Sequence, residues 1–206
     1  IDMDDPGVSV RPILLISGKS PFCETFFDDV RVPVSNVISE VNSGWTVAKA
    51  LLGHERSMIA GAFGGGGPSN KKSGSRLADV ARRYLGGGQE RIGDPVARDK
   101  VAGLEMATKA FGLTVQRSRD AAKAGHQPGP ESSLFKIFAT ELNQQRHELM
   151  VQLMGPQALG WEGPGFEEEE MDLTREWLRS RGNTIEGGTS EVQLNIIAKH
   201  VLGLPD

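Results

Sequence analysis

The sequence predicts a mainly α-helical chain in which an antiparallel four-helix bundle follows a few β-strands. Three observations predict this fold. Residues 1–40 are rich in β-branched and aromatic side chains broken by turn residues, whereas from residue 41 onward apolar residues recur at helical spacing. Clusters of glycine and proline separate the helical stretches. We therefore divide the chain into a β part, residues 1–40, and a helical bundle, residues 41–206.

The β part contains two predicted strands, residues 8–15 and residues 25–33, with turn residues before and between them. Two or three strands do not make a stable sheet alone, so we expect them to pack on the helices or on parts of the protein outside this sequence. The first residue is Ile1 and not methionine, and we expect the sequence to be a piece of a longer protein.

The first helix is predicted over residues 44–63, with Ser43 as its N-cap and a run of glycines after it. Residues 64–75 are small and polar and are predicted to form a loop. A phosphate-binding role is disfavoured there, because the stretch lacks a G-K-[ST] element and follows a helix instead of a strand. A short helix is then expected over residues 76–85.

Two long helices follow. Asp94, as an N-cap before a proline, opens a helix expected to reach residue 124, and residues 131–154 form the next one. The acidic residues 167–170 predict a solvated first turn of a further helix. The last helix is predicted over residues 190–202. The predicted apolar faces of the two long helices carry Val101, Leu104, Ala107, Phe111, Leu113 and Val115, and Leu134, Ile137, Phe138, Leu142, Leu149 and Leu153.

Charge and composition exclude several classes of protein. The net charge is −4 and no stripe of lysine and arginine is visible, so we expect no binding to nucleic acid. No apolar run reaches the roughly 18 residues that a membrane-spanning helix needs, and no signal peptide opens the sequence. Cys23 is the single cysteine, which excludes an internal disulfide and favours a reducing compartment. We expect a cytoplasmic protein.

One carboxylate interrupts an apolar stripe on the first predicted helix. Glu55 shares helical spacing with apolar residues on either side of it. A carboxylate in such a stripe is expected to be desolvated, paired or functional. The residues alone leave a structural ion pair with an arginine of the bundle equally open. The stripe consists of Trp45, Ala48, Leu52, Glu55, Ile59 and Ala62.

A glycine pair precedes the last helix, in the sequence from Thr184 to Gln193. Ser190 and Gln193 have the spacing of a capping box, which predicts a helix N-terminus with free amides and little side-chain bulk in front of it. Such a place suits a phosphate or a thioester oxygen. Taken alone, the residues favour an ordinary capped helix.

These motifs resemble those of the acyl-CoA dehydrogenase family, and the resemblance covers nearly the whole sequence. The terminal signature, residues 177–205, is similar to the C-terminal end of that family. The stretches that carry the remainder of the resemblance are residues 26–33 with 42–45, residues 131–136 and residues 152–155. The resemblance implies that residues 1–40 are the C-terminal part of the family's middle β domain and that residues 41–206 are its C-terminal helical bundle.

The resemblance also implies a function. Members of the family are FAD-containing enzymes that desaturate an acyl-CoA thioester at its α and β carbons and pass electrons to an electron-transfer flavoprotein. They assemble as dimers or tetramers, and some bacterial members that act on bulky acyl chains such as sterol side chains form heteromers. We expect a bacterial protein of lipid metabolism, no metal, and no activity from this piece alone. A non-catalytic subunit or oligomerisation module, or a flavin monooxygenase relative, are the alternatives.

The family places its catalytic base at one of two positions. Matching Gly188-Thr189 to the family motif puts Gly187 at the loop position, where its backbone N–H would meet the thioester oxygen. Glu55, followed by Arg56, matches the alternative position on the first bundle helix. We therefore expect Glu55 to be the base, with Glu186 in reserve.

The same matching implies the cofactor contacts. Thr189 and Glu191, with Gly188, would lie near the phosphates or ribityl chain of FAD. Gln152 and Gly155 would approach the flavin of a second subunit. One position departs from the family pattern: Gln89 stands where an arginine commonly binds the pyrophosphate of the partner's FAD, which predicts weak FAD affinity or a shared site.

Overall fold

The computed structural model describes residues 1–63, 71–86, 91–126, 129–130 and 132–205. It contains a β-hairpin followed by helices, as the sequence predicts. The strands are β1, Val8–Ile13, and β2, Phe22–Phe27. The helices are α1, Gly44–Phe63; α2, Lys71–Leu85; α3, Pro95–Lys123; α4, Ser132–Met154; α5, Glu168–Ser180; and α6, Ser190–Ile196. Within the described residues, no helix has both the length and the apolarity that a bilayer crossing requires.

The two strands pair antiparallel, with Val8 opposite Phe27 and Ile13 opposite Phe22. The predicted second strand, residues 25–33, was wrong in both its bounds. It ends early because the chain turns at Asp29, whose φ is 51°, a left-handed conformation that a strand does not contain. A single 3₁₀ turn, Val34–Asn36, then leads toward α1.

The turn between the strands attaches the hairpin to α5. Ser17 in this turn is buried. Gly18 has a φ of +75°, and a Cβ atom there would stand 3.2 Å from the Trp161 ring. Lys19 Nζ lies 3.2 Å from Asp172 Oδ1 on α5. The hairpin therefore contacts the helical part of the chain through its turn, whereas ten of the twelve strand residues are exposed, so the expected packing of the strands on the helices is not seen in the described part of this chain.

Helix α4 lies at the centre of the bundle and packs against α1, α2, α3, α5 and α6. Eight of the twelve predicted apolar-face positions of α3 and α4 are buried, among them Phe111 and Leu153. Leu113, Leu134 and Phe138 were expected on the buried faces but are 61%, 38% and 47% exposed. They lie on the outer surface of α3 and α4, where no described helix covers them.

The helix starts follow local side-chain chemistry. Asp94 is the N-cap of α3 as predicted, and its Oδ1 accepts from Ala97 N at 2.6 Å. Glu167 and Glu170 form a capping box at the start of α5. The expected solvated first turn is correct for Glu167 but wrong for Glu170, which is buried and accepts a hydrogen bond from the Tyr84 hydroxyl.

Helix α2 begins at Lys71, five residues before the predicted start at residue 76, so part of the predicted loop is helical. The remainder of that loop, residues 64–70, lies outside the described residues. The basic residues at the end of α2 tie it to α5, since Arg83 Nη2 lies 2.7 Å from Glu167 Oε1.

Candidate functional site

The segment between α5 and α6 has an unusual backbone. A 3₁₀ turn, Arg181–Thr184, is followed by two glycines with left-handed backbones, Gly187 with a φ of 67° and Gly188 with a φ of 92°. A Cβ atom on Gly188 would come within 2.4 Å of Gln193 Nε2. Glycine is therefore required at position 188 both by its φ and by the side chain packed against it.

Two buried polar side chains, one on α4 and one on α6, hydrogen-bond to the backbone of this segment. Lys136, on α4, has no exposed surface, and its Nζ lies 3.4 Å from the carbonyl oxygen of Thr184. Gln193, on α6, is also fully buried, and its Nε2 donates to the carbonyl oxygen of Gly187 at 3.2 Å. The segment from Thr184 to Gly187 is thus held at both of its ends.

Glu186, the reserve base, has both carboxylate oxygens occupied. Arg179 Nη2 lies 2.7 Å from Oε2, and the Asn183 amide donates to Oε1. Asn183 is buried and its own Oδ1 accepts from Asn143 Nδ2 on α4 at 2.9 Å. Glu186 therefore acts as a structural link between α5, the loop and α4 in this arrangement.

The start of α6 differs from the prediction by one residue. Thr189 is the N-cap, and its Oγ1 accepts from Val192 N at 3.3 Å. The predicted capping box of Ser190 and Gln193 was wrong, because the Gln193 side chain turns inward to Gly187. Ser190 Oγ instead donates to the carbonyl oxygen of Thr184 at 3.4 Å.

Glu191 is exposed in the first turn of α6. Its own backbone N–H, and then the Thr189 hydroxyl, lower the pKa of this carboxyl group. An ionised carboxylate is favoured at a helix N-terminus. Glu191 therefore places a charged, exposed hydrogen-bond acceptor in the helical turn that follows Gly187 and Gly188.

Glu55, the expected base, is exposed on α1. Of the three outcomes expected for it, desolvation does not hold in this chain. Its apolar stripe lies on an uncovered face, with Trp45 70% and Leu52 41% exposed. The side chains of Arg56 and of the last two stripe residues, 59 and 62, lie outside the described part of the chain.

Gln152 and Gly155 are at the far end of α4 from Lys136. Sixteen residues of helix separate Gln152 from Lys136, a distance of about 24 Å along the axis. Both residues are exposed, and Gly155 has a φ of 59° at the start of a 3₁₀ turn. The structure therefore groups Gly187, Gly188, Thr189 and Glu191 at one place and leaves Gln152 and Gly155 at another. Gln89 lies outside the described residues.

The chemistry of the loop fits one part of FAD. Gly187 and Gly188 leave no side-chain bulk, and the exposed carboxylate of Glu191 can accept from the hydroxyl groups of a ribityl chain. The same carboxylate would repel a phosphate. Gln193 Oε1 is buried without a hydrogen-bond partner among the described residues, which indicates a polar interior beneath the loop. The residues present therefore fit FAD through its hydroxyl-bearing chain.

Sequence reasoning missed Lys136 and the inward orientation of Gln193. A signal for Lys136 was present, because this lysine interrupts the otherwise apolar run Leu134-Phe135-Lys136-Ile137-Phe138. A charged residue inside such a run on a central helix indicates a buried cation with a specific partner. No comparable signal marks Asn143 or Asn183.

A family model matches the helical part of the chain. The model described as "Acyl-CoA dehydrogenase, C-terminal domain" matches residues 42–202. The chain belongs to the acyl-CoA dehydrogenase family.

Named relatives support the same assignment. The chain is 33% identical to acyl-CoA dehydrogenase IpdE1 of Mycobacterium tuberculosis over 210 residues, which cover 100% of this chain and 50% of the relative. It is 31% identical to acyl-CoA dehydrogenase FadE34 of the same organism over 208 residues, covering 100% of this chain and 26% of the relative. The chain thus spans half the length of one relative and about a quarter of the other.

Solved structures show the same fold. The structure titled "Tcur3481-Tcur3483 steroid ACAD" superposes with a TM-score of 0.82 at 25% identity, covering 100% of this chain and 51% of that one. The hairpin and the bundle described above are therefore arranged as in a solved acyl-CoA dehydrogenase.

Proposed function

We propose that the whole protein is an FAD-dependent acyl-CoA dehydrogenase that desaturates a thioester between its α and β carbons, with Glu55 as the base. The observation that carries this proposal is the residue type at two positions, 187 in the loop before α6 and 55 on α1. The loop before α6 holds glycine at position 187, and the stripe of α1 that contains Trp45 and Leu52 also holds a carboxylate, Glu55. A base placed on α1 compensates for a loop without one.

The roles of the residues follow from this arrangement. Glu55 removes the α-proton of the thioester. Because Glu55 is exposed in this chain, this role requires that the bound acyl-CoA and the remainder of the protein cover the apolar face of α1, since an apolar surrounding makes a carboxylate a stronger base. The Gly187 N–H donates to the thioester oxygen, where negative charge develops as the proton leaves. FAD, when bound, accepts the hydride from the β-carbon. Glu186 remains paired with Arg179 and takes no proton.

We assign Gly188, Thr189 and Glu191 to the FAD of the same chain. Gln152 lies about 24 Å from Lys136 along α4, and Gly155 follows the end of that helix, so we assign these two residues to the FAD of a second subunit. An exposed apolar groove of about 370 Å³ between α3 and α4, lined by Leu134 and Phe138 among others, supports assembly of two or four subunits. The subunits are two copies of this protein or this protein and a relative.

The substrate that we propose is a bulky acyl-CoA thioester, such as one with a steroid side chain, and a fatty acyl-CoA is the alternative. The support is the structural relative named "Tcur3481-Tcur3483 steroid ACAD". The proposed electron acceptor is an electron-transfer flavoprotein, and the proposed location is the cytoplasm.

Flavin reduction in the full-length protein tests the assignment. The purified protein is mixed anaerobically with straight-chain, branched and steroid-derived acyl-CoA thioesters, and bleaching of the flavin is followed in the visible spectrum. We expect bleaching in the wild type, slower bleaching in Glu186→Gln because the loop loses its ion pair with Arg179, and a loss of at least about a hundredfold in rate in Glu55→Gln. Loss in Glu186→Gln with retention in Glu55→Gln would reverse the assignment of the base.

A second candidate function is a non-catalytic subunit of a heteromeric enzyme. The exposure of Glu55 favours it, together with the glutamine at position 89. A colourless full-length protein that gains no flavin when its relatives are co-expressed would establish this candidate and contradict the first.

A further inference from the structure

We propose that Lys136 is a positioning residue for the thioester-binding loop and acts together with Gln193. The inference deepens the proposed function, because it rests on the Gly187 N–H as the donor to the thioester oxygen. It adds a cation on α4 and an amide on α6 that fix the orientation of that donor.

The first step is the placement of Lys136. Lysine is almost never fully buried unless it is paired. Here it has no exposed surface, and no carboxylate of the described residues comes within ion-pair distance of it. Its hydrogen-bond partner is the carbonyl oxygen of Thr184. The charge is therefore directed at the backbone of the loop.

The second step is the position of the Gly187 amide between two held carbonyls. Lys136 holds the peptide group that joins Thr184 to Ile185. Gln193 holds the peptide group that joins Gly187 to Gly188. The N–H of Gly187 belongs to a peptide group between these two, and the side chain of Glu186 is fixed by Arg179 and Asn183. With both flanking groups and the intervening side chain held, the direction of this N–H is determined.

The third step is why a charge is present at all. A methionine at position 136 would occupy a similar volume without the cost of removing an ammonium group from water. Burial lowers the pKa of Lys136, and the carboxylates of Glu186 and Glu191 raise it in part. The Lys136 ammonium group contacts the carbonyl oxygen of Thr184, so its charge lies beneath the loop whose Gly187 N–H would meet the thioester oxygen. A fixed positive charge there stabilises that oxygen in the transition state.

The test uses the full-length protein with FAD and the variants Lys136→Met and Gln193→Met. Lys109→Met, at an exposed position of α3, is the matched control. Amide hydrogen exchange of residues 184–189 is measured in the FAD-loaded and the FAD-stripped protein, and kcat and KM are measured with the best acyl-CoA substrate. We expect exchange of this segment to rise roughly tenfold or more in both Met variants and in both states. We also expect Lys136→Met to lose roughly tenfold or more in kcat with little change in KM, and the control to match the wild type.

Unchanged exchange at residues 184–189 together with wild-type kcat in Lys136→Met would overturn the inference. If Lys136→Met does not fold, the exchange of the same segment in Gln193→Met replaces it as the test, and unchanged exchange there would overturn the inference equally. An inactive wild type whose segment still loosens in both variants would contradict the proposed function and leave the positioning role standing.

Discussion

Arg179 Nη2 lies 2.7 Å from Glu186 Oε2, and the two side chains are only 31% and 25% exposed. This ion pair joins the last turn of α5 to the loop that contains Gly187 and Gly188. It gives the loop carboxylate a structural partner at the place where the sequence offered it as a reserve base.

Breaking the ion pair between Arg179 and Glu186 should destabilise the protein. Glu186→Gln removes the charge that Arg179 faces and should lower the free energy of unfolding by about 1–3 kcal/mol. Urea unfolding followed by circular dichroism measures the difference. Glu162→Gln, at an exposed loop position, serves as control and should change the stability by less than about 0.5 kcal/mol. Equal stabilities of the two variants would show that the pair contributes nothing.

Gly188→Ala should destabilise the protein by at least about 2 kcal/mol, because a Cβ is strained at a φ of +92° and would displace the Gln193 side chain. Gly103→Ala is the matched control. Gly103 lies inside α3 with no atom within 4 Å of its added Cβ, so alanine there should stabilise by about 0.5–1 kcal/mol. Thermal unfolding compares the two. Changes of the same sign would contradict the packing described for the loop.

Tyr84 is the single tyrosine of the sequence, which makes its ionisation directly measurable. Burial, and then the hydrogen bond to Glu170, raise its pKa from 10.0 to about 12. A raised pKa means that the folded state holds the proton more tightly. The stability from this group is therefore complete below pH 10.0 and is lost as the pH rises toward about 12.

The measurement is a titration of tyrosinate absorbance, with Tyr84→Phe subtracted as a blank. Glu170→Gln should bring the midpoint closer to the ordinary value, since it removes a charged acceptor from the hydroxyl. A titration midpoint of 10.0 in the folded wild type would contradict the partial burial of Tyr84 and its hydrogen bond to Glu170.

The lowered pKa of Glu148 predicts that the protein becomes less stable as the pH falls. The hydrogen bond from Trp177 Nε1, at 2.8 Å, is the main cause that lowers the pKa of this carboxyl group, and Arg181 adds to it. A lowered pKa gives stability that is present above the ordinary value of 4.5 and is lost as the pH falls through the folded-state value. In Glu148→Gln, the midpoint temperature should therefore fall less between about pH 5 and about pH 3 than in the wild type. Asp99→Asn, an exposed position on α3, should follow the wild type, and parallel curves for all three proteins would refute the assignment.

The sequence predicted those parts of the fold that depend on local signals. Asp94 before a proline and the glycine at position 155 mark the bounds of α3 and α4, and both helices begin and end within a residue or two of the expected places. The start of α2 was missed because the residues from Lys71 onward are small and polar, and such composition also suits a loop.

The site was predicted less well, for a physical reason. Burial of Glu55 depends on what covers α1, and helical spacing reports only which residues share a face. The cap at Thr189 in place of Ser190 has a similar origin, since Gln193 is drawn inward by the carbonyl of Gly187. Long-range partners such as Lys136 and Thr184 are 48 residues apart and leave no local pattern that spacing rules detect.

Helix α4 contacts each of the other five α-helices described here. Inserting a single residue in the middle of it would rotate everything beyond that point by about 100° and would move five interfaces out of register at once. Differences in length between this protein and its kin should therefore fall in the connections between helices, and α4 should keep the same number of residues throughout the family.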